Sequence, residues 1–503
     1  MKVADLAALI PNAIIEGDSE IEITGITNHS RRVAPGELFV CIPGIPGYQE
    51  DRHPYAAAAV QAGAAAVVAE RKVDVNAPVI LVKNARHALG VFSAHFYGHP
   101  SRELKLIGVT GTNGKTTTAH MIEAILRYAG HKTGLMGNIG TKIGDALFQT
   151  DINTQEPPVL QGNLRKMADT NCSYAVMEVT SQGLDAGRVL GCDFRTAVFT
   201  NLTQDHLDYH GTMENYIAAK GLFFSRLGNG FTGDFAAEKI AVLNADDPAS
   251  AVFRKLTAAH VLTYGIREEA DVRAEDIRLS ARGTSFRAVT YKGTIDMQLG
   301  MVGTFNVYNA LAAITAALAE GLPLETIRDG LVSLPGVPGR MEVINEGQSF
   351  LALVDYAHTP DGLDNVLRAV RGFAEKKVIT VFGCGGDRDR TKRPIMGGIA
   401  ADYSDFVVVT SDNPRSENPR RILADIEEGL REKQYPASRY QIVEDRAAAI
   451  ARAVEMAEPG DVIVIAGKGH ETYQITNHGT IHFDDREVTR EAIRGLTRRD
   501  SGE

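Results

Sequence analysis

One segment, residues 104–118, constrains the fold of this chain more than any other. It reads LKLIGVTGTNGKTTT. Its apolar start predicts a buried strand, and three glycines then permit a tight loop. Lys115 opens a helix whose apolar positions recur at helical spacing until Gly130. The segment therefore predicts a strand, a tight loop and a helix in direct succession.

The loop in this segment predicts a phosphate site. A glycine-rich loop between a strand and a helix turns backbone N–H groups inward, where they bind phosphate oxygens. Lys115 would reach the outer phosphates of a nucleoside triphosphate, and the Thr116 hydroxyl would ligate Mg²⁺. The strict P-loop spacing is not met, because Val109 occupies the position of its first glycine. A glycine-rich turn beside a surface lysine is the alternative, and the ordered strand, loop, Gly-Lys-Thr and helix disfavour it.

Composition excludes several classes of protein. The 503 residues predict roughly three domains. The net charge of −10 disfavours a nucleic-acid partner, which normally requires a basic excess. Four scattered cysteines without a C-x-x-C pair are typical of reduced thiols. No signal peptide and no apolar stretch of bilayer length is visible, so we expect a cytoplasmic protein without membrane insertion.

Changes in pattern along the chain predict three units. Residues 1–100 contain short strands and helices, including an alternating strand pattern at 21–27. Over 101–334 strands alternate with helices, and an antiparallel-looking stretch at 271–299 interrupts them. A hinge rich in proline and glycine then begins a third unit, 335–503. The alternation predicts an α/β fold with mostly parallel sheets.

Ligand-binding side chains are expected where parallel strands end. Glu178 ends a buried-type strand and, opposite a phosphate loop, is predicted to ligate Mg²⁺ rather than to be an exposed loop carboxylate. Residues 200–211 follow another strand and contain two histidines and two aspartates. That cluster favours a site, and its spacing leaves metal binding and hydrogen bonding both open. Lys220 has the pattern of an ordinary lysine on a helix surface.

Three charged, glycine-bearing or turn-forming segments follow strands of the third unit. They are GCGGDRDR at 383–390, DNPR at 412–415 and GKGHE at 467–471. The first is not a dinucleotide fingerprint, since it lacks the final glycine. The cations in and just after it either hold anions or merely solvate a loop; they are Arg388, Arg390, Lys392 and Arg393. Together the three segments predict a pocket for a small polar molecule that carries both charges.

An ordered set of motifs along essentially the whole chain resembles the Mur ligase family. The set comprises NHSRRVAPGELFV (28–40), GTNGKT (111–116), EVTS (178–181), DHLDYH (205–210), YIAAK (216–220), FNVYNA (305–310), GRME (339–342), DYAHTPDGL (355–363), FGCGGDR (382–388), DNPR (412–415) and GKGHE (467–471). An ordered set of this kind is far more specific than any single motif.

The resemblance implies an ATP-dependent amide ligase of peptidoglycan precursor synthesis. It implies a small N-terminal UDP-substrate domain (1–100), a central ATPase domain with a P-loop parallel sheet (101–334) and a C-terminal Rossmann-like amino-acid domain (335–503). The implied reaction passes through an acyl phosphate, which the incoming amine attacks. DNPR resembles the signature of members that add meso-2,6-diaminopimelate to UDP-N-acetylmuramoyl-L-alanyl-D-glutamate. Arg415 can pair bidentately with a carboxylate that diaminopimelate has and lysine lacks.

The matching motifs also imply roles for individual residues. The catalytic residues would be Lys115, His206 and Lys220, and Mg²⁺ would be held by Thr116, Glu178, His206 and a carbamylated Lys220. ATP would be bound by Gly111, Thr112, Asn113, Gly114, Lys115, Thr116, Thr117, Asn309, Arg340 and Asp355. The UDP-linked substrate would be bound by Ser30, Thr154, Gln155, Thr180 and Arg188. The amino acid would be bound by Arg388, Asp412, Asn413, Pro414, Arg415, Gly467 and Glu471, with Glu471 on its far-end amine.

The chain departs from the family pattern near the expected peptide subsite. Family members commonly carry Asn-Thr-Thr-Pro where this chain has NTQEP at 153–157, and Ser-Ser-His where it has Thr180-Ser181-Gln182. They carry glutamine where Ala186 stands. Two alternatives also stay open: the same ligation with L-lysine or another diamino acid, and a P-loop ATPase with a C-terminal binding module. An ATP turnover that requires both a UDP-muramoyl dipeptide and an amino acid would exclude the ATPase.

Overall fold

The computed structural model describes residues 1–501 apart from 151, 232, 235, 236, 281 and 282. Three successive parts of the chain each carry a sheet with helices packed on it, which confirms the predicted α/β fold. Among the helices described, none combines the length and the apolar character that crossing a membrane requires.

The first part of the chain forms a five-stranded sheet. Its elements are α1 (Val3–Ala7), β1 (Ile14–Glu16), β2 (Gly25–Thr27), β3 (Glu37–Val40), α2 (Ala56–Gln61), β4 (Ala66–Ala69), β5 (Val79–Leu81) and α3 (Ala85–Phe96). The strand order is β1-β5-β4-β3-β2, and only β1 runs antiparallel to its neighbour. The strand predicted at 21–27 is shorter, because the backbone of Ile21 and Ile23 bonds to the first three residues of the chain instead.

The second part forms the largest sheet. Its elements are β6 (Lys105–Thr110), α4 (Lys115–Tyr128), β7 (Thr133–Met136), β8 (Thr141–Ile143), β9 (Ala146–Phe148), α5 (Pro157–Asp169), β10 (Tyr174–Glu178), α6 (Ser181–Asp185), β11 (Phe194–Phe199), α7 (Leu207–His210), α8 (Met213–Ser225), β12 (Ile240–Asn244), α9 (Ala249–Leu256), β13 (His260–Gly265), β14 (Val272–Ser280), β15 (Gly283–Thr290), β16 (Gly293–Leu299), α10 (Thr304–Ala319) and α11 (Leu324–Val332).

The strand before the phosphate loop lies in the middle of this sheet. The order is β16-β15-β14-β13-β12-β11-β6-β10-β7-β8-β9, and the strands from β14 to β7 pair in parallel. The stretch predicted as antiparallel forms β14, β15 and β16. Helices α4 and α10 bury their apolar sides in one core with β6 and β11. This core fixes the start of α4 relative to the ends of β10 and β11.

The third part forms a six-stranded sheet and a hairpin. Its elements are β17 (Glu342–Ile344), β18 (Leu351–Asp355), α12 (Pro360–Arg371), β19 (Val378–Phe382), α13 (Lys392–Tyr403), β20 (Phe406–Val409), α14 (Pro419–Glu432), β21 (Tyr440–Ile442), α15 (Arg446–Met456), β22 (Val462–Ala466), β23 (Tyr473–Thr476), β24 (Gly479–His482) and α16 (Asp485–Ser501). The order is β17-β18-β22-β19-β20-β21, parallel except at β17, and β23 pairs with β24.

The carboxyl ends of the second and third sheets face each other and are joined by direct contacts. Arg340, in the hinge before β17, donates from Nη2 to the hydroxyl of Thr116 at the start of α4, at 3.1 Å. Asn113 of the phosphate loop donates to the carboxylate of Asp361 at the start of α12, at 2.5 Å. The loops that follow parallel strands carry the ligand sites of open α/β sheets, so the site is expected where these two sets of loops meet.

Candidate active site between two sheets

The phosphate loop has the backbone conformation that its glycines predict. Gly114 has a φ of +83°, and a Cβ there would stand 2.3 Å from Oδ1 of Asn309. A Cβ on Gly111 would stand 1.9 Å from the hydroxyl oxygen of Thr200. Both positions therefore exclude side chains, as a loop that surrounds phosphate requires. Thr112 is buried with its hydroxyl near Tyr216, and Thr117 is buried within the first turn of α4.

Lys115 bends back over its own loop. Its Nζ donates to the carbonyl oxygens of Gly111, at 3.0 Å, and Thr112, at 2.8 Å. Desolvation by burial lowers the pKa of Lys115, and the negative charges of Glu178 and Asp205 oppose that shift. Within the described residues, the hydrogen-bond acceptors of this ammonium are these two neutral carbonyls, which phosphate oxygens can replace.

The end of β10 contributes a carboxylate to the start of α4. Oε1 of Glu178 accepts from the Thr116 hydroxyl and from the backbone N–H of Asn138, both at 2.9 Å. Its Oε2 is buried and has no hydrogen-bond partner in the part of the chain that the structure describes. A buried carboxylate oxygen without a partner is costly, so it indicates a place for a cation. Within the described residues, no three His, Cys, Asp or Glu side chains converge to hold a metal unaided.

Lys220 is buried, and its interpretation as an ordinary lysine on a helix surface is wrong. The residue is 1% exposed, and its Nζ donates to the Gly111 carbonyl at 2.9 Å and lies 4.6 Å from the centre of the Tyr216 ring. Burial, with help from the charge of Lys115, holds the pKa of Lys220 well below its usual range. The side chain reaches the phosphate loop because the apolar residues beside it on α8 pack against the sheet.

His206 and Asp205 form a pair beside the phosphate loop. His206 has a left-handed backbone (φ 54°), and its Nε2 lies 3.3 Å from Oδ2 of Asp205. Desolvation lowers the pKa of His206 to about 4, despite the favourable charge of Asp205. The imidazole is therefore neutral at pH 7, as a metal ligand must be. His210 lies apart from this pair, with its ring nitrogen 2.9 Å from the Ser181 hydroxyl.

The other residues predicted to bind ATP approach the loop from two sides. Asn309 on α10 lies under Gly114, with Thr118 donating to its Oδ1 at 3.3 Å. Asp355 at the end of β18 is buried, and both oxygens accept backbone N–H groups at 2.7 Å. Burial raises the pKa of Asp355, and the neighbouring Arg340 opposes that shift. Together with the contact between Arg340 and Thr116, these positions surround the outer side of the loop.

A second group of predicted residues connects the first and second parts of the chain. Arg188 is buried; it donates to Glu156 at 2.8 Å, to the Thr154 carbonyl at 3.3 Å and to the Tyr48 hydroxyl at 3.3 Å. Asn28 donates to the other oxygen of Glu156 at 3.3 Å. The structure thus brings a predicted uridine-side segment, which includes Ser30, against the predicted peptide-side residues.

The residues that depart from the family pattern are held within the protein. The Thr180 hydroxyl caps α6 by accepting the Gly183 N–H, and it donates to the Thr154 hydroxyl at 3.0 Å. Gln155 is buried; its amide donates to Thr141 at 2.8 Å and accepts from Asn163 at 2.7 Å. Their roles in substrate binding stay predictions.

The three segments of the third part converge at the carboxyl ends of β19, β20 and β22. Arg415 is half-buried with a left-handed backbone (φ 54°), and its Nη1 donates to the Gly386 carbonyl at 2.7 Å. Desolvation and the nearby Arg388 lower the pKa of Arg415. Arg388 is exposed and bonds only to the carbonyl of Asp387 among the contacts described. The two guanidinium groups make a cationic end to the pocket.

The acidic end of the pocket is Glu471, and it is held by neighbours. Oε2 of Glu471 accepts from Lys468 and from the Asn413 side chain, both at 2.9 Å. Oε1 accepts from the Tyr356 hydroxyl at 3.5 Å. Gly467 must lack a side chain, because a Cβ there would stand 2.6 Å from the carboxylate of Asp412. Pro414 is buried beside Gly386.

The sequence did not single out Lys468 or Tyr356 as residues of this pocket. It also left open whether the cations near 388–393 bind anions. Lys468 is fully buried and lies in the motif 467–471, from which only Gly467 and Glu471 were predicted to bind the amino acid. Tyr356 lies between Glu471 and Arg340, and only its position after a strand end signals it. Of the cations in the loop 383–393, Arg393 is fully buried on Glu417 and Asp425, so it is structural.

Three family descriptions match successive parts of the chain. The family described as "Mur ligase family, catalytic domain" matches residues 22–97. "Mur ligase middle domain" matches 109–317, and "Mur ligase, glutamate ligase domain" matches 339–469.

Curated relatives align over nearly the whole chain. A protein of Bacillus licheniformis is 51% identical over 98% of this chain and 99% of its own length. A protein of Listeria monocytogenes serovar 1/2a is 48% identical, over 98% and 99%. Both are named UDP-N-acetylmuramoyl-L-alanyl-D-glutamate--2,6-diaminopimelate ligase.

Solved structures share the same architecture. A structure titled with that same ligase name is 34% identical, covers 99% of this chain and all of its own, and has a TM-score of 0.68. The MurF ligase of Thermotoga maritima, solved in complex with ADP, is 19% identical over 95% of this chain and 97% of its own, with a TM-score of 0.65. At that identity the second likeness concerns the fold alone.

Proposed function

This chain belongs to the Mur ligase family, and we propose that it uses ATP to join meso-2,6-diaminopimelate to UDP-N-acetylmuramoyl-L-alanyl-D-glutamate. One observation carries the proposal: Arg340 and Tyr356 connect the phosphate loop to a group of two arginines and a glutamate. The relatives that cover the whole chain and bear that ligase name support it. Because ATP and UDP-linked precursors are its substrates, we place the enzyme in the cytoplasm.

The first step is phosphoryl transfer. A terminal carboxylate oxygen of the UDP-linked dipeptide attacks the γ-phosphorus of ATP, the bond to the β-phosphate oxygen breaks, and ADP leaves. Lys115 and the backbone N–H groups of residues 111–116 offset the charge that develops on the phosphate oxygens. The carbonyls that hold Lys115 in this structure are weaker acceptors than phosphate, so Lys115 would move outward to the nucleotide.

The donor set beside the loop fits Mg²⁺. Thr116 and Glu178 would hold one ion, since Oε2 of Glu178 is buried and lacks a hydrogen-bond partner among the described residues. His206 and a carbamylated Lys220 would hold a second, and the lowered pKa of His206 keeps its ring neutral. When bound, Mg²⁺ supplies positive charge that neutralises the transferring phosphoryl group.

The burial of Lys220 supports its carbamylation. Only a neutral amine attacks CO₂, and the pKa of Lys220 is well below its usual range. The ammonium first loses one proton, and the neutral amine nitrogen then bonds to the carbon of CO₂ and releases a second, so a cation becomes a carbamate anion. That change removes the repulsion between Lys220 and Lys115 and creates an oxygen ligand for Mg²⁺.

The second step joins the amino acid. The neutral amine of diaminopimelate attacks the acyl carbon, the tetrahedral intermediate expels phosphate, and the nitrogen gives up its proton. Arg415 and Arg388 would hold the far carboxylate, and Glu471 would hold the far amine. Arg188 and Thr154 would orient the dipeptide where the first and second parts of the chain meet.

The decisive experiment is a substrate-dependence assay. Purified enzyme is given ATP and Mg²⁺ with UDP-muramoyl dipeptide, diaminopimelate, both or neither, and with lysine in a parallel series. Products are identified by mass and phosphate release is measured. We expect turnover only when both substrates are present, and far more with diaminopimelate than with lysine. ATP turnover without either substrate would favour a P-loop ATPase, and equal turnover with lysine would refute the specificity.

A further inference from the structure

Tyr356 lies between the amino-acid pocket and the phosphate loop, and the proposed chemistry gives it no role. Its hydroxyl donates to Oε1 of Glu471 at 3.5 Å. The guanidinium carbon of Arg340 lies 4.6 Å from the centre of its ring. Tyr356 thus contacts both Glu471, which is assigned to the far amine, and Arg340, which is assigned to ATP.

Close backbone packing fixes the position of Tyr356 relative to two segments, residues 339–340 and residues 467–471. Its N–H donates to the Gly339 carbonyl at 2.9 Å. A Cβ on Gly469 would stand 2.7 Å from Cβ of Tyr356, and one on Gly339 would stand 2.2 Å from the backbone nitrogen of His470. Neither glycine can be replaced without moving the backbone. Residues 339–340, 356 and 467–471 therefore move together.

The other end of this connection is the predicted metal and phosphate site. Arg340 donates to the Thr116 hydroxyl at 3.1 Å, and Thr116 donates to Glu178 at 2.9 Å. Glu471 and Glu178 are thereby connected through one short chain of contacts, which runs by way of Tyr356, Arg340 and Thr116.

We propose that Tyr356 is a positioning residue that couples binding of the far amine at Glu471 to placement of Arg340 over the phosphate loop. This inference rests on the proposed function. Oε2 of Glu471 is already held by Lys468 and Asn413, so an incoming ammonium meets Oε1, the oxygen that contacts Tyr356. An ammonium at Oε1 of Glu471 and a nucleotide at Arg340 each favour the same arrangement of this connection, so each ligand strengthens binding of the other.

The coupling is measured as a ratio: the Kd of diaminopimelate without the nucleotide divided by its Kd with the nucleotide bound. With UDP-muramoyl dipeptide present, the Kd of diaminopimelate is determined by calorimetry with and without Mg²⁺ and the non-hydrolysable analogue AMPPNP. In the wild-type enzyme we expect AMPPNP to tighten diaminopimelate binding by about fivefold or more. Diaminopimelate must tighten AMPPNP binding by the same factor, because coupling is reciprocal. A wild-type ratio of one would overturn the proposal.

The test variant is Tyr356→Phe, which removes the hydroxyl and keeps the ring under Arg340. We expect its ratio to fall below about twofold, with the Kd of AMPPNP alone unchanged. The matched control is Tyr440→Phe, which removes a tyrosine–glutamate hydrogen bond of 2.8 Å, to Glu427, in the same unit. Its ratio should stay at the wild-type value. A Tyr356→Phe enzyme with the wild-type ratio would refute the coupling.

A ligand-side experiment tests the same connection in unmodified protein. 2-Aminopimelate keeps the far carboxylate and lacks the far amine, so it should bind without the tightening by AMPPNP. A ratio as large as that of diaminopimelate would overturn the role of Glu471. The product assay distinguishes the two failures: an enzyme that makes no product with diaminopimelate refutes the proposed function, and one that makes product without coupling refutes only the role of Tyr356.

Discussion

The phosphate loop and the amino-acid pocket are built in different ways. The loop consists of adjacent residues, 111–116, and its lysine bonds to carbonyls three and four positions earlier in the chain. The pocket combines segments at 383–388, 412–415 and 467–471 with Tyr356 from a fourth position. Local sequence therefore specifies the loop, whereas the pocket depends on the parallel order of β20, β19, β22 and β18.

The two regions also differ in how their charges are held. Among the hydrogen bonds described, Lys115 donates to two neutral carbonyls, so its charge is available to a ligand. In the pocket, Glu471 is already paired with the buried Lys468. Removing a charge from the loop should therefore affect chemistry more than folding. Removing one from the pocket should affect binding of one substrate, and the changes below test that contrast.

The largest effect is expected from Lys115→Ala. Loss of a cation that acts on the transferring phosphoryl group should lower kcat by about 10³-fold. The melting temperature should stay near that of the wild type, because Lys115 has no charged partner within its loop. The control is Lys132→Ala, an exposed lysine beyond α4. Near-normal turnover of a folded Lys115→Ala enzyme would contradict the assignment of the loop.

The next largest effect is expected from Lys220→Ala. Without a carbamate the second cation loses an oxygen ligand, and we expect turnover to fall by about 10²- to 10³-fold. Added acetate or propionate should restore part of the activity by entering the space that the side chain leaves. The matched variant Lys220→Arg keeps a cation and cannot be carbamylated, so short carboxylates should not rescue it. An active enzyme whose intact mass and peptide map show unmodified Lys220 would refute the modification.

A smaller and more selective effect is expected from Arg415→Ala. Loss of a charge-assisted pair with the far carboxylate should raise the KM for diaminopimelate by about 10²-fold. The KM for ATP should not change, since Arg415 bonds within the pocket and not to the loop. Arg390→Ala is the control, because Arg390 is exposed and pairs with Asp425 outside the pocket. If the KM for ATP rose as much as the KM for diaminopimelate, the pocket and the phosphate loop would not bind their ligands independently.

Sequence predicted the parts of the molecule that depend on neighbours in the chain. The strand before the loop, the helix after it and the antiparallel stretch 271–299 all form as expected, because periodicity and glycine placement decide them. The strand at 21–27 is shorter than predicted, because the backbone of Ile21 and Ile23 hydrogen bonds to residues 1–3 and not to a neighbouring strand of the sheet.

Contacts between distant residues could not be predicted in the same way. Composition and helical spacing assign Lys220 to a surface, and only the packing of α8 shows that its amine reaches Gly111. Lys468, Tyr356 and the partnership of Asn113 with Asp361 likewise depend on which strand ends meet. Periodicity fixes which face of an element is buried, but it does not say what lies opposite that face.

The smallest effect concerns His470, at the contact between the two regions. Its ring nitrogen lies 3.5 Å from Arg340, and burial, with the charge of Arg340, lowers the pKa of His470 to about 3. Between the unfolded pKa near 6.5 and this value, the unfolded chain takes up a proton that the folded chain does not. Stability is therefore lost as the pH falls, by at most about 1.4 kcal/mol per pH unit for this one group.

His470→Asn should consequently make the fall in melting temperature between pH 6.5 and pH 4.5 shallower than in the wild type. His482→Asn is the control, because Glu487 raises the pKa of the exposed His482, the opposite of the shift at His470. That pairing stabilises the folded chain below the unfolded pKa and is lost only as the pH rises above it, so its removal should leave the fall between pH 6.5 and pH 4.5 close to that of the wild type. Equal slopes in His470→Asn and the wild type would mean that His470 takes up a proton in the folded state. The loop and the pocket would then meet at a solvated contact rather than a packed one.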